Sequence, residues 1–425
     1  MTLIEFFDEN RIENVACALL SDAKRVILVG SSPSRLAQYC TRYTQLSGKP
    51  YEPRSIDRND LGATVKTLEK IVCEVSEAGE RCVLELAGGD DLCLVAAGIV
   101  AERHPDQIDL WRTNIPHSRL DVFYPENQSR SSEQCLTLEE NVRIYGGRLQ
   151  VSEAWDLEKT EPIARLLWQL TLEQKDWNHH VEQLGRLRAS FPVDGNNQPV
   201  IDEKKKATAL RFGGKISDLR GKFGRGQLDE IVELLQKIRR RQGEDKYILR
   251  ELQISEQELY VEYADGNVKR LLDKAGQVLE VWLAGNLKKM TRQRTGRPYF
   301  CDICVGAELD WDGVIQPHNF PDVSNEIDVM AMRGMVPVFI SCKSGKVKPE
   351  ELYKLDHVAA RFGGDYAKKI LVVRSLGPEA NSEISFEQRA AEMGIAVLEL
   401  EEMITSGGHL NEAVLWSKIQ KICEA

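Results

Sequence analysis

No run of apolar residues in this chain approaches the roughly 18 needed to span a membrane. The opening, MTLIEFFDENRIENV, has no basic leader followed by an apolar stretch, so no secretory signal peptide is expected. No G-x-G-x-x-G follows the first apolar run, which argues against a bound NAD. C-x-x-C occurs once, at Cys301 and Cys304 in PYFCDICVGAEL, whereas a structural zinc needs four ligands. On a strand that odd spacing sends the two thiols to opposite faces, so they read as structural cysteines. The ten cysteines are otherwise scattered singly. They are expected to be reduced thiols of a cytoplasmic protein, not a disulfide framework. Positive charge is not in excess either: 56 Lys and Arg face 66 Asp and Glu, a net charge of −10. The surface as a whole does not attract nucleic acid, and any such site must be a local basic patch.

What is present is an ordinary globular composition, 42% hydrophobic and 29% charged, over 425 residues. That is too long for one ordinary core, so two or three domains are expected. The first 125 or so residues alternate strand and helix patterns. RVILVG (25–30) is a continuous apolar run, as in a strand buried on both faces. A polar SSPS turn and a helix-like RLAQYCTRYTQL follow. RCVLEL runs into Gly88 and Gly89 and then the helix-like DLCLVAAGIVAERH, and QIDLWRTNI is a third strand. This alternation implies a parallel, Rossmann-like sheet, with ligands beyond the carboxyl ends of the strands. Ser31, Ser32 and Ser34, then Gly88 and Gly89, then Asn114 stand at those ends. They make either a polar cradle for a nucleotide or plain turn chemistry.

Between Lys204 and Arg225 lie eight basic residues and one acid, Asp218. Lys204, Lys205, Lys206, Arg211 and Lys215 are the candidates for phosphate-backbone contact; a solvated, mobile loop is the alternative. The helix-like QLDEIVELLQKIRRR follows. LYVEY and VKRLL around Asp265-Gly266 read as a strand pair with a hairpin turn, which suggests a small winged-helix unit.

The chemistry concentrates in NEIDVMAMRGMVPVFISCKSG, residues 325–345. Two short apolar runs flank a tight turn, so paired strands would bring Asp328 to Lys343. Glu326 shares a face with Asp328, and Ser341 shares one with Lys343. Val338, Ile340 and Cys342 point the other way, to a core. Upstream, LLDKAGQVLEVWLAGNLKKM has Val278, Leu279, Trp282 and Leu283 at helical spacing, and Glu280 projects from it. Downstream, PEELYKLDHVAARFGG reads as a helix with Leu352, Leu355, Val358 and Phe362 on its core side. Phosphodiester hydrolysis uses hard oxygen ligands for Mg²⁺ or Mn²⁺ and a cation for the charge at phosphorus. Glu280, Asp328 and Lys343 are that set of residue types; a plain cross-strand ion pair is the alternative.

That order of helix, strand pair, crossover helix and strand resembles the PD-(D/E)xK nucleases. The whole chain resembles the CARF-domain ancillary nucleases of type III CRISPR systems, which cyclic oligoadenylate activates. RVILVGSSPS, ELAGGDDLCLVAAGIV and LTLEENVRIYGG carry the likeness in the first half. KAGQVLEVW, residues 325–345 and EELYKLDHVAARFGGDYAKK carry it in the second. The resemblance implies an α/β protein in three parts: a Rossmann-like CARF sensor (1–150), a helical and winged-helix-like region (151–270), and a restriction-endonuclease-like domain (271–425). It implies a homodimer with the activator, cyclic tetra-adenylate by preference, on Ser31, Ser32, Ser34, Gly88, Gly89 and Asn114. It implies Mn²⁺- or Mg²⁺-dependent cleavage of DNA, RNA or both by Glu280, Asp328 and Lys343. Ala87 stands where a hydroxyl residue is frequent. Ser341 stands where the motif's second acid is usual, so Glu351 from the helix, or Glu326 from the strand, is expected to replace it at the metal. A ligand-sensing transcriptional regulator that reads DNA with its winged helix is the alternative.

Overall fold

The computed structural model describes all residues except 126, 152–153, 174–175, 294, 315–323, 346, 377–384 and 407–408. The class is α/β, as expected. Seven strands form the first sheet: β1 (Thr2–Phe6), β2 (Arg25–Gly30), β3 (Tyr51–Ser55), β4 (Cys82–Glu85), β5 (Ile108–Asn114), β6 (Arg119–Tyr124) and β7 (Gln128–Ser131). Their order is β3-β2-β1-β4-β5-β6-β7. The first five run parallel and the last two antiparallel. The central strand, β1, comes from the very start of the chain, where the sequence reading placed no strand. All five of its residues are buried.

β8 (Arg148–Gln150) leaves this sheet and joins another, far along the chain. β9 (Arg211–Lys215), β10 (Leu249–Ile254) and β11 (Glu258–Tyr263) make a small antiparallel sheet in the order β10-β11-β9. Between β9 and β10 lie the helices Ile216–Phe223 and Arg225–Gln242. Strand, two helices, then a strand pair is the winged-helix order, but the hairpin is not where it was expected. Asp265-Gly266 starts the helix Gly266–Asp273 instead of turning between strands. The Asp265 carboxylate accepts from the amides of Asn267 and Val268. Val268, Leu271 and Leu272, at helical spacing, are buried. The turn of the pair falls at Ser255–Gln257, between β10 and β11.

β12 (Asp302–Asp310), β13 (Ser324–Arg333), β14 (Val336–Lys343), β15 (Lys368–Val373) and β16 (Ile395–Glu399) complete the third sheet, ordered β16-β15-β14-β13-β12-β8. One face, with Val329, Val338, Ile340 and Cys342, packs on the helix Gln277–Lys289 and the middle region. Trp168 stacks on Trp282 there, ring centroids 5.3 Å apart. The other face, with Ile327, Met330, Phe339 and Leu371, packs on the helix Glu350–Gly363. That core continues without a break into the first sheet through Leu3, Phe7, Ile12 and Tyr43.

The expectation of free thiols throughout fails at one pair, because Cys135 and Cys301 are disulfide-bonded. Backbone bonds bring them together: Leu136 N–H donates to Gly334 O at 3.0 Å, and Cys301 N–H to Met332 O at 2.9 Å. Eight other cysteines are free. No helix among the described residues is long and apolar enough to cross a membrane.

The Asp265 cap carries a stability prediction. Asp265→Ala should cost about 1 kcal/mol, read as a lower urea midpoint at an unchanged m-value, and Asp265→Asn should keep most of it.

Candidate active site and activator cradle

The β13–β14 ladder runs from Arg333 opposite Val336 to Val329 opposite Ile340. One residue further on, Asp328 meets Ser341, and Lys343 follows on the same face. Asp328 Oδ2 accepts three bonds: from Ser341 Oγ at 3.1 Å, the Cys342 amide at 2.6 Å and Lys343 Nζ at 3.2 Å. Among the described residues none donates to Oδ1, which keeps its lone pairs for a cation. Lys343 Nζ also lies 3.3 Å from Glu351 Oε2, in the first turn of the helix Glu350–Gly363. Burial works against the Lys343 charge, but Asp328 and Glu351 outweigh it and raise the pKa, so the ammonium is held. Glu326, Asp328, Ser341, Lys343, Glu351 and Lys354 line one small cavity.

Glu280 stands in the first turn of the helix Gln277–Lys289. Burial, then the charges of Asp328 and Glu326, push its carboxyl up to about 8. Four acids, Glu280, Glu326, Asp328 and Glu351, therefore gather at a pocket lined by two lysines, Lys343 and Lys354, and Glu280 keeps its proton at neutral pH. Hard oxygen donors in a pocket short of positive charge fit a divalent ion such as Mg²⁺ or Mn²⁺. Among the described residues no three His, Cys, Asp or Glu side chains are already closed to ligand spacing.

The expected carboxylates are thus together, and Ser341 has a role that spacing did not reveal. Its hydroxyl is buried and orients Asp328. Glu326 is exposed on β13 and acts on Glu280 through charge.

The strand-end residues also fall as expected, at the carboxyl ends of β2, β4 and β5. Ser31 and Ser34 are exposed, and Ser32 precedes the helix Pro33–Ser47 without a side-chain cap bond. Gly89 takes φ 89°, and a side chain on Gly88 would meet Phe6 O at 2.6 Å. Ala87 donates its amide to Glu85 at 2.7 Å, a backbone contact that needs no hydroxyl. Because β1 lies between β2 and β4, its end supplies two residues that local patterns did not single out. Asp8 accepts from Gly89 N–H at 2.7 Å, and Arg58 lies 3.6 Å from the other Asp8 oxygen. The apolar run LIEFF was the available signal for a strand there, while the partners of Asp8 left none.

The basic stretch has regular structure. Lys204, Lys205 and Lys206 sit on the helix Glu203–Thr208, the first two exposed and Lys206 paired with Glu203 at 2.6 Å. Arg211 is ion-paired with Glu251 and Glu262, and Lys215 is exposed at the end of β9. Phe212 and Phe223 are core residues.

No family model matches the chain, and no curated protein matches it by sequence. Solved structures do match. Protein VC1899 from Vibrio cholerae superposes with a TM-score of 0.72 at 16% identity, over 99% of this chain and 98% of that one. Can2 from Sulfobacillus thermosulfidooxidans, solved in complex with cyclic tetra-adenylate, superposes with a TM-score of 0.62 at 15% identity, over 100% and 97%. This chain has their fold. The likeness runs over nearly the full length of all three chains, so all three sheets lie within the shared fold. The CARF-type architecture read from sequence agrees with it.

The protonated Glu280 makes stability pH-dependent. Its pKa is raised on folding, from an ordinary 4.5 to about 8. Over that window the folded chain binds the extra proton, so the metal-free protein loses stability as pH rises through it. Glu280→Gln removes the dependence: thermal melts should show a larger gain for the variant at about pH 9 than at about pH 5. A gain independent of pH would place the carboxyl in water.

Proposed function

We propose that this chain is a cyclic-oligoadenylate-activated, metal-dependent nuclease of type III CRISPR defence, cutting DNA, RNA or both as a homodimer. The observation that carries the reading is the Asp328–Lys343–Glu351 cluster with a protonated Glu280 behind it. A structural ion pair needs one carboxylate, and this lysine faces two, with a third acid held at a cost nearby. Asp328, Glu280 and Glu351 would hold Mg²⁺ or Mn²⁺, with Glu326 the rival of Glu351. The ion, when bound, lowers the pKa of water and neutralises non-bridging phosphate oxygens. Lys343 donates to the oxygen on which charge develops. Ser341 and the Cys342 amide hold Asp328 in place, so Lys343 is free to turn toward substrate when the acids are otherwise satisfied.

The activator reading rests on the row of strand ends. From β2 through β1 and β4 to β5 are three strand spacings of about 4.8 Å each, or roughly 14 Å of hydroxyls, amides and Asn114. Ser31, Ser32, Ser34, Gly88 and Gly89 supply donors for phosphate and base edges. Can2, which shares the fold, was solved with cyclic tetra-adenylate, and that ring is the one proposed here. Two such rows about a two-fold axis match a ring with rotational symmetry, which is the argument for the dimer. Lys204, Lys205, Lys206, Arg211 and Lys215 are the proposed contacts to substrate phosphates, with Arg211 first having to leave its glutamates.

The winged-helix order of the middle region favours one other reading, a transcriptional regulator. Against it, the helix Arg225–Gln242 exposes Asp229, Glu230 and Glu233, acids that would face DNA phosphates.

The test crosses cyclic tetra- and hexa-adenylate with DNA and RNA, with and without Mn²⁺. Lys343→Ala should abolish cleavage while activator affinity stays within error, since the lysine lies in the other sheet. Glu351→Gln should slow cleavage at least about tenfold, with Glu326→Gln closer to wild type. The reverse ranking would make the strand glutamate the second acid. Sequence-specific DNA binding without cleavage under any condition would favour the regulator.

A further inference from the structure

The donor that suits an anion best in the cradle is already taken. Gly89 N–H points at the end of β4, and Asp8 Oδ2 accepts it at 2.7 Å. Arg58, the cation beside it, pairs with Asp8 Oδ1 and donates to Phe7 O. A phosphate arriving at Gly89 meets a carboxylate in its place and draws Arg58 away from it. Occupancy of the cradle therefore bears directly on the loop from Phe7 to Asn14.

Hydrogen bonds tie that loop together. Asn14 is buried and buckles it: Asp8 N–H donates to Asn14 Oδ1 at 2.9 Å, and Asn14 Nδ2 donates to Arg11 O at 3.0 Å. From its far side Arg11 forms an ion pair with Asp365, and buried Glu13 hydrogen-bonds Tyr366. Asp365 and Tyr366 form the turn that ends the helix Glu350–Gly363. The same helix end is held by Asn141, whose amide donates to Phe362 O at 2.7 Å. At the other end of the helix, about 21 Å away at 1.5 Å per residue, stands Glu351 against Lys343. Phe7, Ile12, Leu352 and Phe362 share one apolar core, so loop and helix cannot shift independently.

We propose that Asp8 holds the place of an activator phosphate at Gly89, and that its displacement is carried by Arg11 and Asp365 to the helix that sets Glu351 against Lys343. Arg11 and Asp365 are positioning residues; neither touches the reacting atoms. This rests on the activated-nuclease reading, and it adds the route between the two sites. The route has the differential contact that a ligand-driven shift requires: Asp8 and phosphate compete for one amide and one arginine.

Arg11 and Asp365 are exposed, so reversing their charges leaves folding intact. The experiment uses R11E, D365R and the double reversal in the full chain. With saturating cyclic tetra-adenylate, each single variant should lose about tenfold in kcat at unchanged KM, and the double should recover. Amide exchange over residues 350–363, measured without ring or substrate, should rise in each single variant and fall back in the double. Unchanged exchange in the single variants, or a double no better than either single, overturns the proposal. If the wild-type chain neither binds nor answers to a ring while the exchange pattern holds, the activated-nuclease reading fails and the link between loop and helix stands.

Discussion

One ammonium among several carboxylates sets the terms for the third sheet. Asp328 and Glu326 act on the buried Glu280 carboxyl, and Lys343 lies within 3.3 Å of both Asp328 and Glu351. Such a group of charges survives folding only if the apolar frame around it is firm. The frame is the two faces of β13 and β14, one on the Trp168–Trp282 stack and the other on Leu352, Leu355 and Phe362. The residue expected to add a further acid is instead a serine. With Ser341 donating to Asp328, the pocket gains a hydrogen bond where it would otherwise gain a further carboxylate.

The first sheet shows the same economy of charge at its strand ends. Asp8, Arg58 and the Gly89 amide satisfy one another. Under the proposed function, a carboxylate that closes this edge would admit only a ligand with enough contacts to displace it. The length of the row, from Ser31 to Asn114, suits the large ring proposed above better than a small ligand.

Much of this was legible where periodicity alone decides geometry. Asp328, Ser341 and Lys343 share a face because strand side chains alternate, and Leu352, Leu355, Val358 and Phe362 are buried because helical spacing puts them on one stripe. Asp265-Gly266 was ambiguous because the same dipeptide serves a hairpin turn and a helix cap, and only the burial of Val268, Leu271 and Leu272 decides between them. The Cys135–Cys301 pairing, across 166 residues, leaves no local trace. Nor does Asp8: its partners come from β4 and from the loop after β3, and nothing in MTLIEFFDEN says which strands β1 will join. The role of Ser341 escaped for a different reason. Its position was readable, but a hydroxyl can donate or accept, and the neighbouring geometry selects donation.

The middle region touches the Lys343 end of the third sheet as well as its core. Arg374, just past β15, donates its amide to Lys343 O at 3.1 Å, its guanidinium to Thr171 O at 3.0 Å and to Glu401. Ser344, just past β14, bonds Asn178 at 3.1 Å. The end of one middle helix, Leu157–Glu173, and the start of the next, Trp177–Ser190, thus grip the chain next to Lys343. Glu280 is tied to the same helices, since its own helix packs on Leu157–Glu173. Lys343 therefore takes its place from two directions: Glu351 and its helix from the side of the first sheet, Arg374 and Asn178 from the side of the middle helices Leu157–Glu173 and Trp177–Ser190. A displacement of either body alters the lysine's distance to the acids, so charge balance in the pocket depends on where the other two parts of the chain lie.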